Sequence, residues 1–267
     1  MDIVGLFKDS LIYPTKEWDK LLIFGVLIII MSFIAILQLF GIALSDYLGA
    51  AIVAAISFIL LFIISLILWG YTLSITRKSI NNVDGDVPAF DWVKNFVDGL
   101  KVLVLRFIYY IIPALVTLIV AYATGAFNYI YQLALYYVMY GPNAIPQALS
   151  SAAAFSFLMV FVIGGIFFLV FSLLFLAAVA VLAETESLGK AVNIIDVFHK
   201  IGEIGWANYI IWVVLYAIIL FVVINTVIGV VSIIPYIGII IVMLILRPYA
   251  DMFAARALGL VYNESKE

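Results

Sequence analysis

The 267-residue chain contains no cysteine and a single histidine, His199. Without cysteine there are no disulfides, thiolate metal sites or cysteine nucleophiles, and one histidine cannot form a multi-histidine zinc motif. Charged residues are also scarce, at 11 %, where an ordinary soluble domain has about 25 %. A chain of this length with so few charges cannot cover a surface that faces water. The sequence therefore predicts an integral membrane protein.

Other common chemistry is missing as well. There is no Gly-x-Ser-x-Gly elbow, no phosphate-binding loop, and no pair of carboxylates placed for acid–base catalysis within the apolar runs. The net charge is −3 without a cluster of Lys and Arg, which excludes a nucleic-acid footprint. The oxygen-rich stretch 82–86 lacks the Gly and the Glu of a calcium loop, because Val87 and Val93 occupy those positions. We expect no enzyme, no cofactor, no metal site and no nucleic-acid partner.

Six long apolar runs are present, and each has the roughly 20 residues that a membrane-spanning helix needs. They cover residues 21–44, 48–76, 102–123, 151–183, 206–228 and 236–258. The last run is interrupted by Arg247–Pro248. It either continues to Leu258 with a kink or ends near Arg247, with the remainder along the membrane surface. The predicted fold class is an all-α membrane protein with one polytopic domain over residues 1–267.

The basic residues indicate the orientation of these spans. All thirteen Lys and Arg fall at the N-terminus, in the second–third or fourth–fifth connection, or near the C-terminus. The connections around Asp46, across 125–150 and around 229–235 contain none. Because short cytoplasmic loops are enriched in Lys and Arg, this distribution predicts a multi-pass protein of the cell membrane with both termini in the cytoplasm.

Amphipathic stretches precede the first, third and fifth spans. In 91–101, one helical face carries Val93, Phe96, Val97 and Leu100, and the other carries Asp91, Lys94, Asn95, Asp98 and Lys101. Residues 187–203 repeat this pattern, with Ser187 as an N-cap, and the N-terminal stretch is a looser version. We predict three interfacial helices and a threefold repeat of surface helix plus transmembrane hairpin. The alternative is that any short loop beside a membrane becomes amphipathic.

Several short motifs carry a family resemblance. They are Pro14 and Trp18, Gly70–Tyr71, Pro88-x-Phe90-x-Trp92, Gly99–Leu100–Lys101, and Ala255–Arg256-x-x-Gly259-x-x-Tyr262. Together they resemble an uncharacterised, mainly archaeal family of multispan membrane proteins, domain of unknown function 4013. More distantly, they are similar to the membrane domain of some glycerophosphodiester phosphodiesterases. The resemblance implies a six-span fold without an established activity, and this chain has no soluble phosphodiesterase domain.

Arg247 and Asp251 are the candidates for a polar element within the membrane. They lie four residues apart in the sixth run and so share a helix face. Charges at membrane depth are costly and usually functional. Either the two form an internal ion pair that lines a polar path, or Arg247 extends to the headgroups while Asp251 already lies at the surface.

Aromatic residues are the candidates for contact with lipid at the membrane interface. The predicted contacts are Trp18, Trp92, Phe96, Tyr129, Tyr136, Tyr140, Phe198 and Trp206. The segment 127–140 is rich in Tyr and uncharged, so it is either an interfacial aromatic belt or a lid over an apolar cavity.

The functional expectation is a non-enzymatic membrane component: a scaffold, a lipid-interacting protein or a factor in envelope homeostasis. Its expected partners are membrane lipids, with a homo-oligomer or other membrane proteins as further options. The alternative is a small-solute or lipid transporter or channel with its polar element at Arg247 and Asp251, although mid-membrane charge is scarce.

Overall fold

The computed structural model describes residues 2–44, 46–81 and 85–263. Across these ranges the chain is helical, and no strand occurs. Six helices are long and apolar enough to cross a membrane. They are Trp18–Ala43, Tyr47–Asn81, Trp92–Ala123, Gln147–Thr185, Trp206–Ser232 and Ile237–Asn263, hereafter the first to sixth spans. The predicted all-α, six-span, multi-pass membrane fold is confirmed.

Shorter helices lie between and within the spans. The N-terminal helix is Ile3–Ile12, and the helices between spans are Ala126–Tyr140, Leu188–Val192 and Ile194–Ile204. Single 3₁₀ turns cover Tyr13–Thr15 and Pro142–Ala144. The fifth span contains a π-helical segment, Ile218–Ile224, and the sixth contains another, Val242–Leu246.

The third span differs from its sequence prediction. The surface helix predicted over 91–101 is not separate, since Trp92–Ala123 is one continuous helix. Two side chains of its polar face are turned inward, since Asn95 and Asp98 are 1 % and 2 % exposed, whereas Lys94 of the same face is exposed. Asn95 and Asp98 are buried because they have partners on the second span.

The connection before the fifth span also differs in detail. The single helix predicted over 187–203 is divided at Asn193, whose side chain accepts a hydrogen bond from the Ile195 backbone N–H at 3.1 Å and caps the second helix. Ser187 precedes the first helix without a side-chain cap bond. Separate surface helices therefore precede the first and fifth spans, and the threefold repeat stays a prediction.

The sixth span continues through Pro248. Proline has no N–H to donate to the carbonyl of Leu244 one turn earlier, and the wider π-helical turn of Val242–Leu246 lies at this point. The Leu244 carbonyl instead faces Gly25 of the first span, where a Cβ atom would lie 2.1 Å from the oxygen. Beyond it, Phe253 and Tyr262 are buried, so the end of the helix does not lie along a surface.

The chain forms two compact units. One comprises Met1–Val104 with Ala177–Glu267, and the other comprises Leu105–Leu176. In the second unit, hydroxyls link the third span and the turn after it to the fourth span: Tyr110 Oη lies 3.1 Å from Ser172 Oγ, and Ser156 Oγ lies 2.8 Å from Thr124 Oγ1. Such bonds hold helices together in lipid, where hydrophobic association is weak.

In the first unit, two glycines let the second and third spans touch backbone to backbone. A Cβ atom on Gly70 would lie 1.7 Å from the Asn95 carbonyl oxygen, and one on Gly99 would lie 1.9 Å from the Leu66 carbonyl oxygen. Gly70 follows Leu66 by one helical turn, and Gly99 follows Asn95 by one turn, so the contact is reciprocal. Any side chain larger than hydrogen would push the two helices apart at this crossing.

We expect Gly70→Ala to lower the free energy of unfolding by about 1–3 kcal/mol, because the added methyl group overlaps the Asn95 carbonyl. Thermal unfolding of the detergent-purified protein measures the effect. Gly165→Ala is the matched control, since open space surrounds that glycine in the fourth span. Equal unfolding midpoints for the two variants would contradict the close crossing.

Candidate functional site: a charge network at the basic ends of the spans

The most buried cation of the described chain is Arg256, in the sixth span. Its side chain is 1 % exposed, and its Nε and Nη2 atoms lie 2.8 and 2.7 Å from Asp9 Oδ2. The guanidinium also lies 4.7 Å from the ring centre of Tyr13. Removing an arginine from water is costly unless a counter-charge and hydrogen bonds accompany it. Asp9 and Tyr13 meet this need and so attach the N-terminal helix to the sixth span.

Further contacts hold the N-terminal helix in place. Tyr249 of the sixth span donates a hydrogen bond to the Leu11 carbonyl at 2.5 Å. Phe7 stacks between Trp212 of the fifth span and Phe253 of the sixth, with ring centres 6.4 and 6.3 Å away. A helix that the sequence places at the membrane surface is thus packed against two spans.

Tyr13, just after this helix, contributes as a neutral donor. Burial raises the pKa of Tyr13 above its ordinary value, and the nearby Arg256 offsets only part of that increase. The phenol therefore keeps its proton at physiological pH. It donates a hydrogen bond to the Asp86 carbonyl at 3.4 Å.

A second group of charges joins the second, third and fourth spans around Arg77. Its Nη2 lies 2.9 Å from Asp98 Oδ2 of the third span, and its Nε lies 3.0 Å from Glu186 Oε1. The same Nε donates a hydrogen bond to the Ala183 carbonyl at 3.2 Å. Asp98 also accepts a hydrogen bond from Lys101 at 3.2 Å. The nearly buried Asp98 carboxylate is thereby matched by two cations.

A third group joins the sixth span to the fourth span and the surface helix Ile194–Ile204. Tyr262 donates a hydrogen bond to Glu184 Oε2 at 2.8 Å, and Lys200 Nζ lies 4.6 Å from the Tyr262 ring centre. Lys200 also pairs with Glu203 at 2.8 Å, and that hydrogen bond lowers the pKa of Glu203. We call these three groups together the charge network.

The charge network is built to hold helices together, because each carboxylate in it is neutralised by a cation or bonded to a neutral donor. Over the described ranges, no three His, Asp or Glu side chains are grouped so that they could hold a metal ion. Residues 82–84 of the rejected calcium loop lie outside the described part of the chain. Two buried donors, Asn95 Nδ2 and Trp212 Nε1, have no hydrogen-bond partner within the described part of the chain.

The predicted polar pair lies beside this network without joining it. Arg247 is exposed and Asp251 is half-buried. No ion pair between them occurs in the described structure. A polar path at this position stays a prediction.

The predicted lipid contacts are open to the surroundings to different degrees. Trp18, Trp92, Tyr140, Phe198 and Trp206 are exposed, and Phe96, Tyr129 and Tyr136 are half-buried. Within the helix Ala126–Tyr140, Tyr131 and Tyr137 are also exposed, at 66 % and 60 %. Their contact with lipid stays a prediction.

Sequence reasoning did not select the residues of the charge network as a site. Asp98 was assigned to the polar face of 91–101, and no spacing rule connects it to Arg77 or Glu186, because Arg77 lies on the second span and Glu186 directly follows the fourth. Arg256 and Tyr262 do belong to the closing motif on which the family resemblance rests, and that motif was the available signal.

Comparison with known families finds a family model that matches the chain. The family model described as "Protein of unknown function (DUF4013)" matches residues 53–243, well over half of the chain. The motif residues 255–262 lie beyond the matched range. No curated protein and no solved structure matches the chain.

We expect Asp9→Asn to release the N-terminal helix, because Arg256 would keep its buried charge but lose the counter-charge. The loss of a hydrogen-bonded charge should cost about 1.5–3 kcal/mol. Hydrogen exchange of the amides in Ile3–Ile12 should accelerate accordingly, as measured by mass spectrometry. Lys16→Gln is the control: Lys16 lies 3.8 Å from Asp9 and is 35 % exposed, so exchange should hardly change. Unchanged exchange in Asp9→Asn would contradict the assigned role.

Proposed function

The chain belongs to this family of unknown function, and we propose that it is a non-enzymatic component of the cell membrane that acts as a lipid-interacting scaffold. The observation that carries the proposal is that its buried charges pair with residues on neighbouring helices. Arg256 and Asp98 are the most deeply buried, and both bond across to other helices. Charged groups that are matched in this way stabilise a fixed arrangement of helices.

The surface of the spans supports the same proposal. Large apolar side chains on several spans are widely exposed, among them Phe107 at 67 %, Phe161 at 78 % and Phe221 at 74 %. In a multi-pass protein such surfaces contact lipid chains. The exposed tyrosines of Ala126–Tyr140 favour an interfacial belt over a lid.

The proposal predicts that the protein carries lipid through purification. In mild detergent it should retain bound lipid after size-exclusion chromatography, measured by mass spectrometry of the extract. Exhaustive washing should then lower the thermal midpoint, and adding lipid back should restore it, because a ligand that binds the folded state stabilises it. A protein that holds no lipid, with the same midpoint before and after washing, would contradict the proposal.

A second candidate function is transport of a small solute or lipid past Arg247 and Asp251. The π-helical segments Ile218–Ile224 and Val242–Leu246 favour it, since π-helical turns in spanning helices are frequent at functional sites. In proteoliposomes, solute flux that Asp251→Asn abolishes would replace the scaffold proposal with this one.

For the orientation, we propose that both termini and the charge network face the cytoplasm, which the distribution of Lys and Arg supports. The chain lacks cysteine, so single cysteines can be introduced without background labelling. In intact cells, Asn143→Cys should react with a membrane-impermeant maleimide, whereas His199→Cys should react only after permeabilisation. Both positions are exposed. The reverse labelling pattern would overturn the orientation.

A further inference from the structure

An apolar cleft lies between the N-terminal helix and the fifth span. Its volume is about 580 Å³, and its apolar lining consists of Ile3, Val4, Phe7, Leu11, Ile12 and Leu215. This volume is within the range of about 300–1,000 Å³ that is typical of small-molecule sites. The contacts of Asp9 and Phe7 hold the N-terminal helix against the spans and so place its apolar side chains beside Leu215 of the fifth span.

One charged residue, Lys8, borders the cleft. It is exposed and has no ion pair within the described part of the chain. The neighbouring carboxylates are committed elsewhere: Asp9 pairs with Arg256, and Asp2 accepts a hydrogen bond from the Gly5 backbone N–H at 2.9 Å. The cleft thus combines an apolar lining with a single cation at its edge.

We propose that this cleft binds an anionic glycerophospholipid, with an acyl chain along the apolar lining and the phosphate group at Lys8. The inference rests on the proposed function, since it specifies which lipid the scaffold holds and where. Membrane lipid is the matching occupant because it joins an apolar chain to a phosphate at the depth of an interfacial helix. Free phosphate would gain nothing from the apolar lining.

Removing the charge of Lys8 tests whether the lipid headgroup binds there. The full-length protein is placed in nanodiscs of mixed phosphatidylcholine and phosphatidylglycerol and then transferred to detergent, and the lipids that remain bound are quantified by mass spectrometry. The wild-type protein should be enriched in phosphatidylglycerol. Lys8→Gln should lower that enrichment about fivefold, the factor that corresponds to about 1 kcal/mol for one lysine near a membrane surface.

Two control variants accompany this test. Lys8→Arg should keep the enrichment, and so should Lys190→Gln, because Lys190 is exposed on a surface helix away from the cleft lining. Added inorganic phosphate should not displace the lipid. Full enrichment in Lys8→Gln, or displacement by phosphate, would overturn the assignment of the headgroup.

The acyl-chain half is tested by filling the cleft. Leu215→Trp and, from the other side, Ile12→Trp should each reduce the total bound lipid of both kinds. Val214→Trp should not, since Val214 is 52 % exposed on the same helix but does not line the cleft. Only variants whose thermal midpoints show a folded protein are compared. Because the two substitutions fill the cleft from different helices, the test still works if one of the variants does not fold.

The outcomes separate this inference from the proposed function. If the wild-type protein retains lipid but the variants at Lys8, Ile12 and Leu215 retain as much, the lipid lies elsewhere and the cleft assignment fails alone. If the wild-type protein retains no lipid at all, the proposed function fails with it. Dimerisation abolished by Leu215→Trp, without any change in bound lipid, would identify a second copy of the chain as the occupant and overturn the inference.

Discussion

The close crossing of the second and third spans is the contact on which the first unit depends. Where Gly70 and Gly99 bring the two backbones together, polar side chains near them also meet. Ser74, one turn after Gly70, donates a hydrogen bond to Asn95 Oδ1 at 3.1 Å, and Asp98, next to Gly99, pairs with Arg77. Lipid offers no partner to a buried carboxylate, so Asp98 depends on the neighbouring second span for its counter-charge. The glycine contact and the charge pair thus stabilise the same helix crossing.

The sequence predicts the number and orientation of the spans because hydropathy and the distribution of Lys and Arg are local patterns that can be read directly from the order of residues. It does not predict where helices end, since that depends on contacts between them. Residues 92–101 form part of the third span because Asn95 Oδ1 and the Asp98 carboxylate find partners on the second span. Pro248 similarly predicts a disturbance, but whether it ends the helix depends on the space that Gly25 leaves for the Leu244 carbonyl.

The candidate site was less predictable for the same reason. Charge pairs such as Arg77–Asp98 and Arg256–Asp9 join residues far apart in sequence, and helix periodicity carries no information on them. The motif residues behind the family resemblance do lie at contacts between helices, and their role there is packing. Tyr71 donates a hydrogen bond to the Pro88 carbonyl at 3.0 Å and stacks on Phe90, so that motif holds the second–third connection against the second span.

The N-terminal helix connects the charge network to the cleft. Its attachment depends on Arg256, which is stable in its buried position only while Asp9 faces it. The cleft exists only in this attached state, because five of its six apolar lining residues belong to the helix and Leu215 belongs to the fifth span. A lipid in the cleft must therefore favour attachment, and attachment must raise the affinity for the lipid by the same factor, since the two equilibria are linked. Two residues adjacent in sequence supply the two sides of this coupling: Lys8 contacts the lipid headgroup, and Asp9 pairs with Arg256 of the sixth span.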